Sequence, residues 1–138
     1  MSAHLPLRFT DAPVARLATV SADGVPHVVP VVFAVVRDTV YTAVDDKPKT
    51  TRRLRRLANI AATGRASLLV DYYDDDWAQL WWVRVDGTAE VLPTDAGESS
   101  SAIDSLVAKY PQYRSMRPSG PVVAVRVQRW RQWSATAS

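Results

Sequence analysis

Between Lys47 and Arg56 the chain carries six basic residues (Lys47, Lys49, Arg52, Arg53, Arg55 and Arg56) and no acid. Lys49, Arg52, Arg53 and Arg56 are spaced i, i+3, i+4 and i+7, so on a helix they form one stripe. Like charges at that spacing repel by roughly a few tenths of a kcal/mol per pair, so the stripe implies a bound anion or screening by salt. Thr50 falls near the expected helix start, where free backbone N–H groups and the helix dipole favour an anion. The segment therefore reads as a phosphate cradle, and its bland alternative is a solvated basic face. The whole chain of 138 residues has 17 basic and 14 acidic side chains, a net +3, yet outside this segment 11 basic face 14 acidic, a net −3. One concentrated cationic site on a mildly acidic protein fits a discrete anionic ligand better than a long polyanion.

Other chemistry is poorly supported. The chain has no cysteine, which excludes disulfides, thiolate metal sites and a cysteine nucleophile, and fits a cytoplasmic protein. Asp71, Asp74, Asp75 and Asp76 fail the calcium-loop template, because Asp76 stands at the glycine position and Trp82 at the bidentate glutamate position. They read as an exposed loop paired with nearby arginines. His4 and His27 are the only imidazoles and lack metal-ligand spacing. His27, in a valine-rich strand, is expected to be half-buried and bonded to a backbone carbonyl rather than to act as a base. No Ser/His/Asp set, dinucleotide fingerprint or Walker loop is present. No catalytic side chain is assigned, and any redox chemistry would belong to a cofactor. Five tryptophans and five tyrosines could stack on bases. They lie in or beside strands, however, and the acidic loop would repel a nucleic-acid backbone, so nucleic acid is not the expected partner.

The elements that must position these residues are mostly strands. Ala15 to Val20 ends in the turn signal Ser21-Ala22-Asp23-Gly24. Val25 to Val36 is rich in valine but carries Pro26 and Pro30, which points to a bent or bulged strand at an edge. Thr39 to Val44 follows. Leu54, Leu57, Ala58 and Ala61 then mark a buried helix face, ended by Thr63-Gly64. Ala66 to Val70 and Leu80 to Val91 are strands, the second bent or bulged at Asp86-Gly87. In it Trp81, Val83 and Val85 make a core face, while Leu80, Trp82 and Arg84 make one that needs a subunit or a ligand against it. A second helix is expected with Thr94 or Asp95 as cap, Glu98 completing a capping box, and Ile103, Leu106, Val107 and Tyr110 buried. Pro111 ends it, and Val122 to Trp133 is the last strand. Six or seven strands with two helices argue for a small antiparallel β-barrel with helices outside. The whole chain, 1–138, reads as one domain, with 1–8 an N-terminal arm and 134–138 a frayed tail. Met1 to Phe9 lacks the pattern of a secretory signal, and no apolar run approaches the roughly 20 residues of a membrane span.

Leu17-Ala-Thr-Val-Ser-Ala-Asp-Gly-Val-Pro-His-Val-Val-Pro-Val31 resembles the opening hairpin of the flavin-binding split-barrel family related to pyridoxamine 5′-phosphate oxidase. Ala58-Asn59-Ile60 through Arg65-Ala-Ser-Leu-Leu-Val70 is similar to that family's helix-to-strand segment, with Thr63-Gly64 replacing the customary Asn/Asp-Pro. Lys47-Pro-Lys49, Leu54 to Ile60, Asp74-Asp-Asp-Trp77, Leu80-Trp-Trp-Val-Arg84 and Lys109-Tyr-Pro-Gln-Tyr-Arg114 look like an actinobacterial subfamily assigned to the deazaflavin coenzyme F420 rather than FMN. The resemblance implies a mainly β fold with flanking helices, an antiparallel split β-barrel of the FMN-binding type, in a homodimer with two cofactor sites at the subunit interface. Lys47, Lys49, Thr50, Arg53 and Arg56 would hold the cofactor phosphate. The ring would lie along His27, Val28, Pro30 and Val31, with Trp77 or Trp82 as a wall. The implied activity is hydride transfer between deazaflavin and an unsaturated small molecule. An FMN protein on the same fold and a non-catalytic binder of a cofactor or other anion are the alternatives.

Overall fold

A computed structural model of the chain describes residues 4–44 and 54–136. Its elements are a short α1 (Leu7–Thr10), β1 (Ala15–Val20), β2 (Pro26–Val31), β3 (Ala34–Val36), β4 (Thr39–Ala43), α2 (Arg55–Thr63), β5 (Arg65–Tyr72), β6 (Trp81–Leu92), α3 (Gly97–Lys109) and β7 (Val122–Ser134). Single 3-10 turns occupy Trp77–Gln79 and Pro111–Arg114. The seven strands form one sheet in the order β2-β1-β5-β6-β7-β4-β3, every pair antiparallel. Strands β2 and β3 stand at opposite ends of that order, yet only Val32 and Phe33 separate them in the chain. So short a link forces the sheet to curl until its two ends meet, which makes it a barrel closed by a corner of chain rather than by a ladder.

This splits the long valine run, expected as one bent edge strand, into two edge strands. The prolines sit where they cost least, since β2 has a neighbour on one side only. The bulge in β6 is real: the register with β7 shifts between Asp86 and Gly87, leaving Gln128 as the extra residue. At Gly87 a Cβ would lie 2.1 Å from the Arg126 carbonyl oxygen, so only glycine fits.

The interior is filled by alternate residues of the strands, including Leu17, Val31, Leu68, Val83, Val85 and Val125, with Phe33 inserted from the corner between β2 and β3 and Phe9 and Ile60 from α1 and α2. Each buried side chain of this size contributes roughly 1.5–3 kcal/mol. A second cluster, with Tyr41, Leu92, Ala102, Leu106, Val122 and Ala124, seats α3 against β3, β4 and β7. Ile103, Val107 and Tyr110 of the expected α3 face are only partly covered. No side chain caps α3, whose N-cap is Ala96. Glu98 turns instead to the sheet, accepting from Tyr41 Oη (2.5 Å) and from Arg126. A pair of charged and phenolic donors competes successfully with a local capping box.

The face of α2 also differs from expectation. Asn59 and Ile60 are buried and Arg56, Leu57 and Thr63 half-buried, while Ala58 and Ala61 are exposed. The reason is polar: Asn59 Nδ2 donates to Thr19 Oγ1 of β1 (3.0 Å), both groups buried. Gly64 ends the helix in the left-handed region (φ 67°), its N–H reaching the Ile60 carbonyl. Among the described residues no helix is long and apolar enough to cross a membrane.

Candidate functional site

Strand β2 alternates. Its register with β1 sets His27 opposite Thr19 and Val31 opposite Ala15, on the inward face. Val28 and Pro30 face the other way, Val28 being 59% exposed. The four residues expected along a ring thus have their peptide backbone in common, not their side chains. Val31 is buried in the core, so its side chain is unavailable to a ligand. Among the described residues β2 pairs with β1 alone, so its outer edge leaves peptide N–H and C=O groups to bond something other than these strands. His27 is half-buried as expected, but its Nδ1 is buried without any hydrogen-bond partner, so the anticipated carbonyl bond is missing there. A buried nitrogen in that state is costly.

Of the phosphate cradle, Lys47, Lys49, Thr50 and Arg53 lie outside the described residues. Arg56 is described, on the side of α2 that also bears Asn59, Ile60 and Thr63 rather than on a separate basic face.

The outward face of β2, β1, β5, β6 and β7 is laid out in rows by their registers. One row runs Pro30, Arg16, Leu69, Arg84, Arg131, and the next Val28, Ala18, Ser67, Asp86, Arg129. A shorter row sets Trp82 between Asp71 and Trp133. The division of β6 is the one expected: Val83 and Val85 are buried inside, while Trp82 and Arg84 lie on the outward face. Trp81, on the inward side, stacks with Tyr72 and is covered by the Arg8 guanidinium 4.4 Å from its ring. Trp77, in the turn joining β5 to β6, is 69% exposed and donates from Nε1 to Tyr73 Oη (3.3 Å). Trp77 and Trp82 share one end of that hairpin without a direct bond between them. The acidic loop is held partly as expected: Asp71 pairs with Arg16 at 3.5 Å, while Asp74 accepts from Tyr72 Oη and Asp76 caps the 3-10 turn.

In the middle of this face a cleft of about 800 Å³ is lined by Ser67, Arg65, Arg84, Asp86, Gln128 and Arg129, among others. Asp86 organises it, accepting from Ser67 Oγ (2.6 Å) and Arg84 Nε (3.1 Å) and pairing with Arg129 (3.5 Å). Burial pushes its carboxyl pKa up, but the bonds from Ser67 and Arg84 outweigh that and hold it below the usual range. This polar network was not singled out from sequence. Its one signal was Asp86 standing two residues from Arg84 on the strand face opposite Val83 and Val85.

Ser67 Oγ already donates to Asp86, whose carboxylate is also engaged by Arg84 and Arg129, and among the described residues the groups at both places can bind, orient and exclude water. The free edge of β2 can bond the polar rim of a flat ring, and the Trp82 face, on the opposite side of the sheet from His27, can pack against an apolar surface.

The family model described as pyridoxamine 5′-phosphate oxidase (PNPOx_N) matches residues 4–134. Among solved structures, the conserved hypothetical protein Rv2991 from Mycobacterium tuberculosis superposes with a TM-score of 0.72 at 20% identity, covering 97% of this chain and 87% of that one. HutZ, a heme storage protein from Vibrio cholerae, gives a TM-score of 0.72 at 12% identity over 93% and 91% of the two chains. A FAD-binding protein from Mesorhizobium loti gives 0.68 at 22% identity over 89% and 86%. No curated protein sequence matches. With the match spanning nearly every described element of the corner-closed sheet, this chain belongs to the pyridoxamine 5′-phosphate oxidase family.

Proposed function

We propose that this protein is an oxidoreductase that uses the deazaflavin coenzyme F420 to move a hydride to or from an unsaturated small molecule. The observation that carries the reading is the acid-free run of six cations from Lys47 to Arg56, which begins four residues after the barrel strand β4 ends at Ala43. The coenzyme bears a phosphate and a polyglutamate tail, and so carries more anionic charge than FMN. In this reading Lys47, Lys49, Thr50, Arg53 and Arg56 hold the phosphate. The backbone of His27 to Val31 bonds the ring edge, and Trp77 or Trp82 walls the site. The coenzyme supplies the hydride chemistry, and the protein's own contribution is orientation and exclusion of water. The outward sheet face, with Trp82 and Trp133, is covered by a second copy in a homodimer, so that each site is completed across the interface.

FMN on the same site is the second reading, supported by the family's own description and by the FAD-binding relative from Mesorhizobium loti. A non-catalytic binding role is supported by the likeness to HutZ, a heme storage protein.

Fluorescence titration with F420 and with FMN separates these readings. F420 should bind more tightly, and Lys49→Glu combined with Arg53→Glu should weaken it at least tenfold without unfolding the protein. Tight FMN binding with no F420 binding overturns the deazaflavin assignment. Unchanged affinity in the double variant reduces the cationic run to a solvated face. Coenzyme binding without turnover across enones, quinones and tetrapyrroles would leave the binding role standing.

A further inference from the structure

The corner that closes the barrel is held by side chains from the far end of α3. Lys109 Nζ donates to the carbonyl of Phe33 (2.9 Å) and to that of Thr10 at the end of α1 (3.0 Å), and it lies 3.9 Å from the centre of the Phe33 ring. Tyr110 Oη accepts from the Phe33 N–H (3.2 Å) and lies within donating distance of the Pro13 (2.9 Å) and Phe33 (3.1 Å) carbonyls. The neighbouring carbonyl, that of Val32, accepts from Thr42 Oγ1 of β4 (2.8 Å). Three side chains therefore satisfy the polar groups that the sheet leaves open where β2 turns into β3. Lys109 stays protonated at neutral pH: burial lowers its pKa to about 8, while Asp11 pulls it upward. It keeps three donors, enough for two carbonyls and the ring face.

We propose that Lys109 and Tyr110 are positioning residues of the cofactor site, a clasp that fixes the corner at Phe33 and thereby the placement of strand β2. The role rests on the reading that the ligand lies along His27 to Val31. It follows from topology: among the described residues β2 has one ladder, to β1, and its other anchor is this corner two residues beyond Val31. Releasing the corner frees the end of β2 to shift against the rest of the barrel, whereas β5, β6 and β7 are flanked on both sides and do not depend on it. A loss of placement of about 1 Å at a binding edge is enough to cost large factors in affinity.

The test uses Tyr110→Phe, which keeps the ring and removes the hydroxyl, alongside Lys109→Met and the charge-retaining Lys109→Arg. Amide hydrogen exchange is read on the ligand-free proteins, and F420 and FMN are titrated into each. Tyr110→Phe and Lys109→Met should speed exchange in residues 26–36 at least tenfold while leaving β5–β7 near wild type. They should weaken whichever coenzyme the wild type binds by about tenfold, with Lys109→Arg closer to wild type. Exchange that rises equally across all strands overturns the clasp in favour of general stabilisation. Loosened exchange with unchanged affinity overturns the positioning role and leaves the cofactor reading standing. Wild-type protein that binds neither coenzyme removes that reading, and the positioning role with it.

Discussion

Glu98 shows how one side chain can serve two elements. It takes Tyr41 and Arg126 as partners, and Arg126 reaches on to Glu90 at 2.8 Å, so α3, β4, β6 and β7 are tied at one point. The Arg126 bond, followed by that from Tyr41, holds the Glu98 carboxyl down to about 2 from its ordinary 4.5. A carboxyl lowered on folding stabilises the fold fully above its unfolded value and stops doing so as pH falls through the folded one. Stability should therefore decline between pH 4.5 and 2 in the wild type. Glu98→Gln should lower stability at pH 7 by about 1 kcal/mol, the scale of a partly exposed ion pair, and flatten that acid limb. Melting temperatures of both proteins across pH 2–7 check this, and equal acid slopes would remove Glu98 as the cause.

At the scale of elements, β6 and β7 depend on the bulge at Gly87. A Cβ there would meet backbone at Arg126 rather than a side chain that can swing away. Gly87→Ala should cost about 1–3 kcal/mol, as overpacking does, seen as a shift of the urea midpoint. The bulge was legible in the sequence because Asp86-Gly87 interrupts an alternation that resumes afterwards. The inward and outward sides of Trp81 and Trp82 were legible for the same reason, since a period of two is a local property. The buried side of α2 was not. Asn59 looks like a solvent residue until Thr19, forty positions away, supplies its partner, and no local pattern encodes that. Glu98 misled in the same way, its true partner Arg126 lying in the last strand. The free edge of β2 followed from its prolines, but the corner that joins the two ends of the sheet did not. Lys109 and Tyr110 entered the sequence reading only as part of a motif and a helix face, and their bonds to Phe33 are contacts between distant parts of the chain.

For the molecule as a whole, the outward face is an uneven surface for a monomer to show water. Trp133 is 45% exposed beside Trp82, Val28 is open at the edge, and the arginines between them are partly neutralised by Asp86 and Asp71. An apolar face whose arginines are paired with Asp71 and Asp86 suits a self-complementary contact. If a second copy covers it, Leu69→Lys, which adds a cation between Arg16 and Arg84, should convert the dimer to monomer and lower coenzyme affinity in parallel. Sedimentation velocity reads the first effect and titration the second. A variant that remains dimeric would place the interface elsewhere.

The position of β7 has a consequence for how the protein comes to be made. Of the seven strands it is the last to be synthesised, yet it lies between β6 and β4 and, among the described residues, supplies the only ladder joining the β3–β4 hairpin to the rest of the sheet. Until residues 122–134 emerge, that hairpin lacks this partner, and the edges of β6 and β4 are open in addition to those of β2 and β3. Completion of the barrel is therefore a late event that joins distant parts of the chain, slow by topology and vulnerable to aggregation while it waits.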